Sequence, residues 1–252
     1  MKKVLIGIFL LVFTQTLLSQ QSNYFTDSIW SNQFQSYRKI NVYLPVNFSK
    51  KLIYKVFYTT DGQFIDSLYC KKLDSLIINK IIVPIVIVGV YSSDKIISKN
   101  FTLRNIEYLA EGDVRFENHL HFFNEELTRF SEKKYHVSKK VKDKYFYGVS
   151  NGADFGFALS VRKPDFASSY LLFSKAAFFD TTRIGITQSK IKYYLSCGSD
   201  QDIIEPTEEI CKILTSKNIP FDFHFFKGGH DCTSWLEDFE SRLVLIFTNL
   251  KK

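Results

Sequence analysis

The stretch Gly148-Val149-Ser150-Asn151-Gly152 has the form G-x-S-x-G and stands between two segments of different periodicity. Before it, Lys144 to Val149 reads as a strand; after it, Asn151 to Arg162 reads as a helix that stops before Pro164. A serine at such a junction sits in a tight, strained turn that lifts Oγ above the end of a sheet. The two glycines keep side chains away from the neighbouring strand and helix. The helix then aims its first N–H groups at negative charge developing beside the serine. Five residues alone are a weak pattern, but between strand and helix they make Ser150 a candidate nucleophile.

Outward from this junction the chain continues to punctuate itself. Residues 38–46 alternate as a half-exposed strand, and 52–59 form another that ends at the turn Asp61-Gly62-Gln63. Ile81 to Val90 is a continuous apolar run typical of a strand buried on both faces, with Pro84 tolerable only ahead of its paired part. Leu120, Phe123, Leu127 and Phe130 place an amphipathic helix over 120–135. Beyond the serine, 170–174, 191–197 and 221–226 read as strands. Residues 206–217 form a helix with Pro206 in its first turn, and 233–250 form a closing helix. After the first two strands, strand and helix alternate. The expected fold is α/β, a mostly parallel central sheet with helices on both faces and the active site at the carboxyl ends of the strands. With 5 Pro and 11 Gly there is little linker material, so residues 21–252 are expected to form one domain.

A serine nucleophile needs a base and an acid. Of the five histidines, His119 and His121 flank the start of the amphipathic helix ahead of the serine, His136 sits at that helix's far end, and His224 lies inside a strand. His230 stands in Lys227-Gly228-Gly229-His230-Asp231, after the last strand and before the last helix. That is the place of the base in the chain order Ser, Asp/Glu, His, and the two glycines let the loop fold over the serine. The acid belongs to the loop after the strand 191–197. Asp200 lies close to the strand end; Asp202 lies four residues before Pro206, the spacing expected of an acid just ahead of the next helix. Asp202 is preferred, Asp200 stays open, and Glu205 is a remoter candidate. An oxyanion hole needs two backbone donors. The Asn151 N–H is one candidate, and the Gln63 N–H, with Gly62 second, is the other.

With these residues in place the chain resembles the esterase D / enterochelin-esterase-like branch of the α/β-hydrolases, a branch that includes feruloyl esterases and mycolyltransferases. The resemblance runs from about Arg38 to the C-terminus. It is carried by Val42-Tyr43-Leu44-Pro45, Tyr58-Thr59-Thr60-Asp61-Gly62-Gln63, Arg104-Asn105-Ile106-Glu107-Tyr108, Glu125-Glu126-Leu127, Gly148-Val149-Ser150-Asn151-Gly152-Ala153, Lys163-Pro164-Asp165-Phe166 and Gly228-Gly229-His230-Asp231. It departs at Ala153, where the family often has a second glycine, and at Gln201, which holds the usual position of the acid between Asp200 and Asp202. The resemblance implies a serine hydrolase that cleaves a carboxylic ester, on a small molecule or a glycan, through an acyl-enzyme. Acyl transfer to another alcohol and a catalytically silent binding domain are the alternatives. The segment between Ser174 and Ile191 is short for a lid; its Phe178, Phe179 and Arg183 either line the substrate or simply pack.

The 252 residues carry 33 Lys and Arg against 26 Asp and Glu, a net charge of +7. Two of those charges sit in Met1-Lys2-Lys3, followed by the apolar run Val4 to Phe13 and a polar end near Ser19-Gln20. This is the pattern of a signal peptide over 1–20, too short for a comfortable membrane span. An exported protein is expected, with no stable membrane insertion once the signal is cleaved. Lys133, Lys134, Lys139, Lys140, Lys142 and Lys144 are interrupted by Glu132 and Asp143. They read as a solvated face, and no nucleic-acid partner is expected because no nucleic-acid-binding motif accompanies them. Cys70, Cys197, Cys211 and Cys232 lack metal-ligand spacing, leaving disulfides and free thiols both open. No metal or organic cofactor is called for.

Overall fold

The computed structural model describes residues 22–99, 101–177, 190–200 and 202–249. The segment 1–20, Phe178, Phe179, Arg183 and Gln201 therefore lie outside the described residues. Among the described residues, ten strands and seven α-helices follow in the order β1 (Asn23–Ser31), β2 (Ser36–Leu44), β3 (Lys55–Thr59), α1 (Ser67–Ile78), β4 (Ile85–Val90), β5 (Ile96–Ser98), β6 (Phe101–Thr102), α2 (Leu103–Leu109) and α3 (Val114–His121). Then come α4 (Thr128–Lys134), β7 (Lys144–Val149), α5 (Asn151–Arg162), β8 (Ser169–Phe173), β9 (Lys192–Gly198), α6 (Glu205–Ser216), β10 (Phe221–Phe226) and α7 (Cys232–Asn249).

Eight strands form one sheet in the order β1-β2-β4-β3-β7-β8-β9-β10, and β5 and β6 make a small separate hairpin. β1 and β2 run antiparallel to their neighbours, whereas β4, β3, β7, β8, β9 and β10 are parallel. The central strands alternate side chains between two cores, which is why they read as unbroken apolar runs. Val56, Tyr58, Val86, Val88 and Phe146 face one core with Phe116, Phe123, Phe155 and Leu214 of the helical layer. Phe57, Ile85, Ile87, Tyr145 and Tyr147 face the other, built with α1 and α7 through Leu73, Leu76, Phe239 and Leu243. The sequence therefore gives the right class and the right layers.

Several boundaries differ from expectation. The strand expected over 52–59 starts at Lys55; Tyr54 makes only an isolated bridge to Val137. Pro84 falls just outside β4, where its missing N–H costs no ladder bond. The helix expected over 120–135 begins at Val114, capped by the Asp113 side chain, and passes through a π-helical turn over Phe122–Leu127 into α4. His119 and His121 are consequently inside a helix, not at its start. No expected element corresponds to β1, α1, β5, β6 or α2. All four cysteines are free.

Candidate active site

Ser150 forms the turn between β7 and α5 with φ 54° and ψ −132°, a conformation that costs a non-glycine residue backbone energy. Two close approaches hold it. A Cβ on Gly148 would lie 2.3 Å from the Gly152 carbonyl oxygen, so strand and helix can fold back on each other only without that side chain. The Ser150 N–H donates to the Phe173 carbonyl at 2.9 Å, tying the turn to the end of β8.

The loop between β10 and α7 brings His230 over this serine. His230 Nε2 lies 3.0 Å from Ser150 Oγ, and Nδ1 lies 2.8 Å from Asp202 Oδ1. Burial pushes the Asp202 carboxyl upward, but four donors outweigh it and hold the group below its ordinary value: His230, Ser174 Oγ and the N–H groups of Gly198 and Ile203. An ionised carboxylate only accepts, so Nδ1 carries the proton and Nε2 is left to accept from the Ser150 hydroxyl. Asp200 is not part of this chain. Its side chain is exposed, while its N–H donates to the Gly228 carbonyl at 2.9 Å and braces the histidine loop.

Two further residues support the carboxylate. Ser174, buried at the end of β8, donates to Asp202 Oδ2 and accepts from Trp235 Nε1 at 2.8 Å. The Trp235 ring meets His230 edge-to-face at 4.8 Å, packing the imidazole from the α7 side. Sequence reasoning found neither; the partners are far apart along the chain and only the sheet brings them together.

The second donor segment is the Asp61–Phe64 turn. Asp61 is 2% exposed, has φ 53°, and receives Arg104 bidentately, Nε to Oδ1 at 2.7 Å and the terminal nitrogen to Oδ2 at 2.9 Å. The Asp61 N–H donates to Tyr108 Oη at 3.3 Å. α2 thus clamps the turn from behind, which gives the Arg104–Tyr108 stretch a physical task. The Gln63 side chain is bonded at both ends of its amide to Ser92, so its backbone stays fixed while the side chain points elsewhere. A Cβ on Gly152 would lie 2.2 Å from Thr60 Oγ1 and 3.0 Å from Asp61 Oδ2. The absence of that side chain lets the N-terminus of α5, with the Asn151 N–H at its first position, rest directly against the 60–63 turn. The first N–H groups of a helix have no carbonyl behind them, so Asn151 is free to serve a ligand. A cavity of about 130 Å³ opens beside these elements, lined among others by Thr60, Phe64, Leu68, Cys232 and Trp235.

A mostly parallel sheet with a strained serine at the end of a central strand defines the α/β-hydrolase fold. The particular family follows from sequence: the profile of the family described as putative esterase matches residues 31–246, and the chain belongs to it, a carboxylic-ester hydrolase. No curated protein matches the chain significantly. Among solved structures, a ferulic acid esterase superposes with a TM-score of 0.77 at 18% identity, covering 91% of this chain and 99% of that one. A ferulic acid esterase from the anaerobic fungus Anaeromyces mucronatus gives 0.72 at 16% identity, with 92% of each chain covered. The enterobactin esterase of Shigella flexneri, solved with enterobactin, gives 0.73 at 14%; the match covers 92% of this chain and 61% of that one. At such identities the likeness is one of fold.

Proposed function

We propose that the protein is an exported serine esterase in which Ser150 is the nucleophile, His230 the general base and Asp202 the acid, with the N–H groups of Asn151 and Gln63 as the oxyanion hole. The observation that carries this reading is the unbroken relay from Asp202 through His230 to Ser150, with both contacts at hydrogen-bond distance. In the first step Nε2 of His230 takes the Ser150 proton while Oγ bonds the ester carbonyl carbon. The carbonyl oxygen gains the negative charge and is met by the two N–H groups. Asp202 stabilises the imidazolium without itself taking the proton. His230 then gives the proton to the leaving alcohol, and a water deprotonated by Nε2 releases the acid from Ser150. Export is supported by the signal-peptide pattern of residues 1–20.

The cavity beside the site suggests the substrate. A space of about 130 Å³ with Phe64, Leu68 and Trp235 in its wall suits one aromatic ring or a short branched aliphatic group; an engineered apolar cavity of similar size, roughly 150 Å³, holds benzene. The ester is therefore read as one bearing a compact apolar or aromatic group, in keeping with the aromatic acids in the names of the structural neighbours. The test is a panel of aryl and alkyl esters run on the wild type and Ser150→Ala, together with a fluorophosphonate probe. Hydrolysis and labelling should both vanish in Ser150→Ala. A folded wild type that neither labels nor hydrolyses any ester rejects the assignment, and ester products formed with an added alcohol would turn it into acyl transfer.

A further inference from the structure

The loops at the amino ends of the strands, the pole opposite Ser150, concentrate the chain's positive charge. The β2–β3 loop carries Lys50 and Lys51, the α1–β4 loop Lys80, and the loop before β7 Lys139, Lys140 and Lys142, all exposed. Lys217, ahead of β10, continues the series. Across 45–54, 79–84, 135–143, 163–168 and 217–220 the acids are Asp143, already paired with Lys55 at 2.6 Å, and Asp165. The carboxyl pole is mixed instead, with Asp66, Asp94, Asp200 and Asp231 against Lys95, Lys99 and Lys227. What reads along the sequence as a solvated lysine run is, in three dimensions, one sector of a basic pole.

Aliphatic side chains are interleaved with these lysines. Leu52 and Ile53 are 55% and 69% exposed on the first loop, and Ile78 is 61% exposed at the end of α1, with Ile81 and Val83 also exposed beyond it. One groove joins the two loops, lined by Val46, Leu52, Tyr54, Ile78, Lys80 and Pro84. Tyr54 extends the same face to the third loop: its N–H donates to the His136 carbonyl at 3.0 Å, and its carbonyl accepts from Ser138 N–H at 2.8 Å. Scattered exposed aliphatics need no explanation, but a contiguous set rimmed by lysines does.

The charge pattern selects the occupant. In a two-fold pairing of copies, lysines would be set against lysines. A soluble polyanion would satisfy the lysines and leave Leu52, Ile53 and Ile78 in water. An anionic bilayer takes both, lysines at the phosphates and aliphatics at the edge of the acyl region. The chain entry is on the same pole. β1 starts at Asn23 opposite Leu44, and Ser22 Oγ donates to Asp74 on α1, one turn ahead of Ile78. Ser22 and Asn23, where the described chain begins, therefore lie beside this face.

We infer that this pole seats on an anionic lipid surface and turns the Ser150 end outward; the inference is independent of the catalytic assignment. The test is sedimentation of the full chain with phosphatidylcholine vesicles, with and without phosphatidylglycerol, comparing wild type, Lys50→Gln/Lys51→Gln and Leu52→Asp/Ile53→Asp. Because all three share residues 1–21, the differences report the pole, and melting temperatures verify that each variant is folded. Binding should be stronger to phosphatidylglycerol-containing vesicles and weaken with salt. It should drop about fivefold per lysine neutralised, or roughly 25-fold for the pair. The aspartate pair should lose at least as much. Equal binding of all three folded proteins, or no preference for phosphatidylglycerol, overturns the proposal. So does a dimer abolished by Leu52→Asp/Ile53→Asp. Heparin binding as tight as vesicle binding, and indifferent to the aspartate pair, would replace the membrane with a soluble polyanion.

Discussion

Replacing Asp202 by Asn tests the relay most directly, because the two side chains have the same shape and differ in what they can accept. The Asp202 side chain is fully buried and each oxygen has two donors: His230 Nδ1 and Ile203 N–H at Oδ1, Ser174 Oγ and Gly198 N–H at Oδ2. An amide has one oxygen, so its NH₂ must face a donor in either orientation. Turned toward Oδ1 it opposes the Ile203 N–H and forces the His230 proton onto Nε2, where it blocks Ser150. Turned toward Oδ2 it opposes the Gly198 N–H; Ser174 can reverse its hydroxyl, and the imidazolium loses its counter-charge. One stranded backbone donor costs about 1–3 kcal/mol, a drop of several degrees in Tm for a domain of this size. The wrong tautomer is the larger effect: the same change in a serine-protease triad lowers kcat about ten-thousand-fold, near 5 kcal/mol of barrier. Stability and catalysis are therefore separable. The assay is kcat on an activated ester with the melting curve of each variant, run beside Asp200→Asn, whose exposed side chain should matter by less than about threefold. An Asp200→Asn loss equal to or greater than that of a folded Asp202→Asn would refute the reasoning.

Arg104→Gln leaves the buried Asp61 without its cation and frees the Asp61–Phe64 turn. The expected result is a fall in kcat of about a hundredfold with KM little changed, and Arg104→Lys should restore only part because an ammonium cannot make the bidentate contact. Gly152→Ala places a methyl 2.2 Å from Thr60 Oγ1. It should lower kcat by at least about tenfold while the fluorophosphonate still labels Ser150, and an unchanged kcat would show that the contact does not set the donor geometry. His119 is fully buried: burial first, and then Arg38 and Arg115, push its imidazole down to about 3, with Glu107 opposing. Between that value and the ordinary one, near 6.5, the unfolded chain binds a proton that the folded chain does not. Stability should therefore fall as pH drops through this window, by at most about 5 kcal/mol. His119→Phe should flatten that part of the curve in denaturant titrations, and an unaltered slope counts against it.

The parts of the molecule that the sequence showed, and those it hid, divide on a physical line. β4, β7, β8 and β9 were legible because both faces are apolar, and Ser150, Asn151 and His230 because glycines mark tight turns whatever the tertiary context. α1 did carry a readable stripe, Tyr69, Cys70, Leu73, Leu76 and Ile77, behind an Asp66 cap. The misses elsewhere have a common cause. Periodicity detects burial only where what is buried is apolar, and β1 turns Asp27 and Ser31 inward along with Phe25 and Ile29, because Lys134 and Tyr135 wait there for the carboxylate. α2 has seven residues, and its Glu107 points into the core to meet Arg38 and Arg115. Polar burial is affordable only when the partner is in place, and the partner comes from a remote segment.

The same condition governs the site. Ser174, Asp202 and Asp61 are polar groups with buried side chains, Arg104 is partly buried, and they satisfy one another across distant elements, so no local pattern announces them. Each is held in place because it would be costly alone. Asp202 could be told from Asp200 only once Ser174 and the Gly198 N–H were seen to converge on it, since both aspartates offer His230 the same group at nearly the same point in the chain. The basic pole was hidden for a related reason. Its lysines come from separate loops, each unremarkable by itself, and the parallel arrangement of the strands gathers them at the amino ends. Net charge along a sequence says how much there is; the sheet decides where it acts.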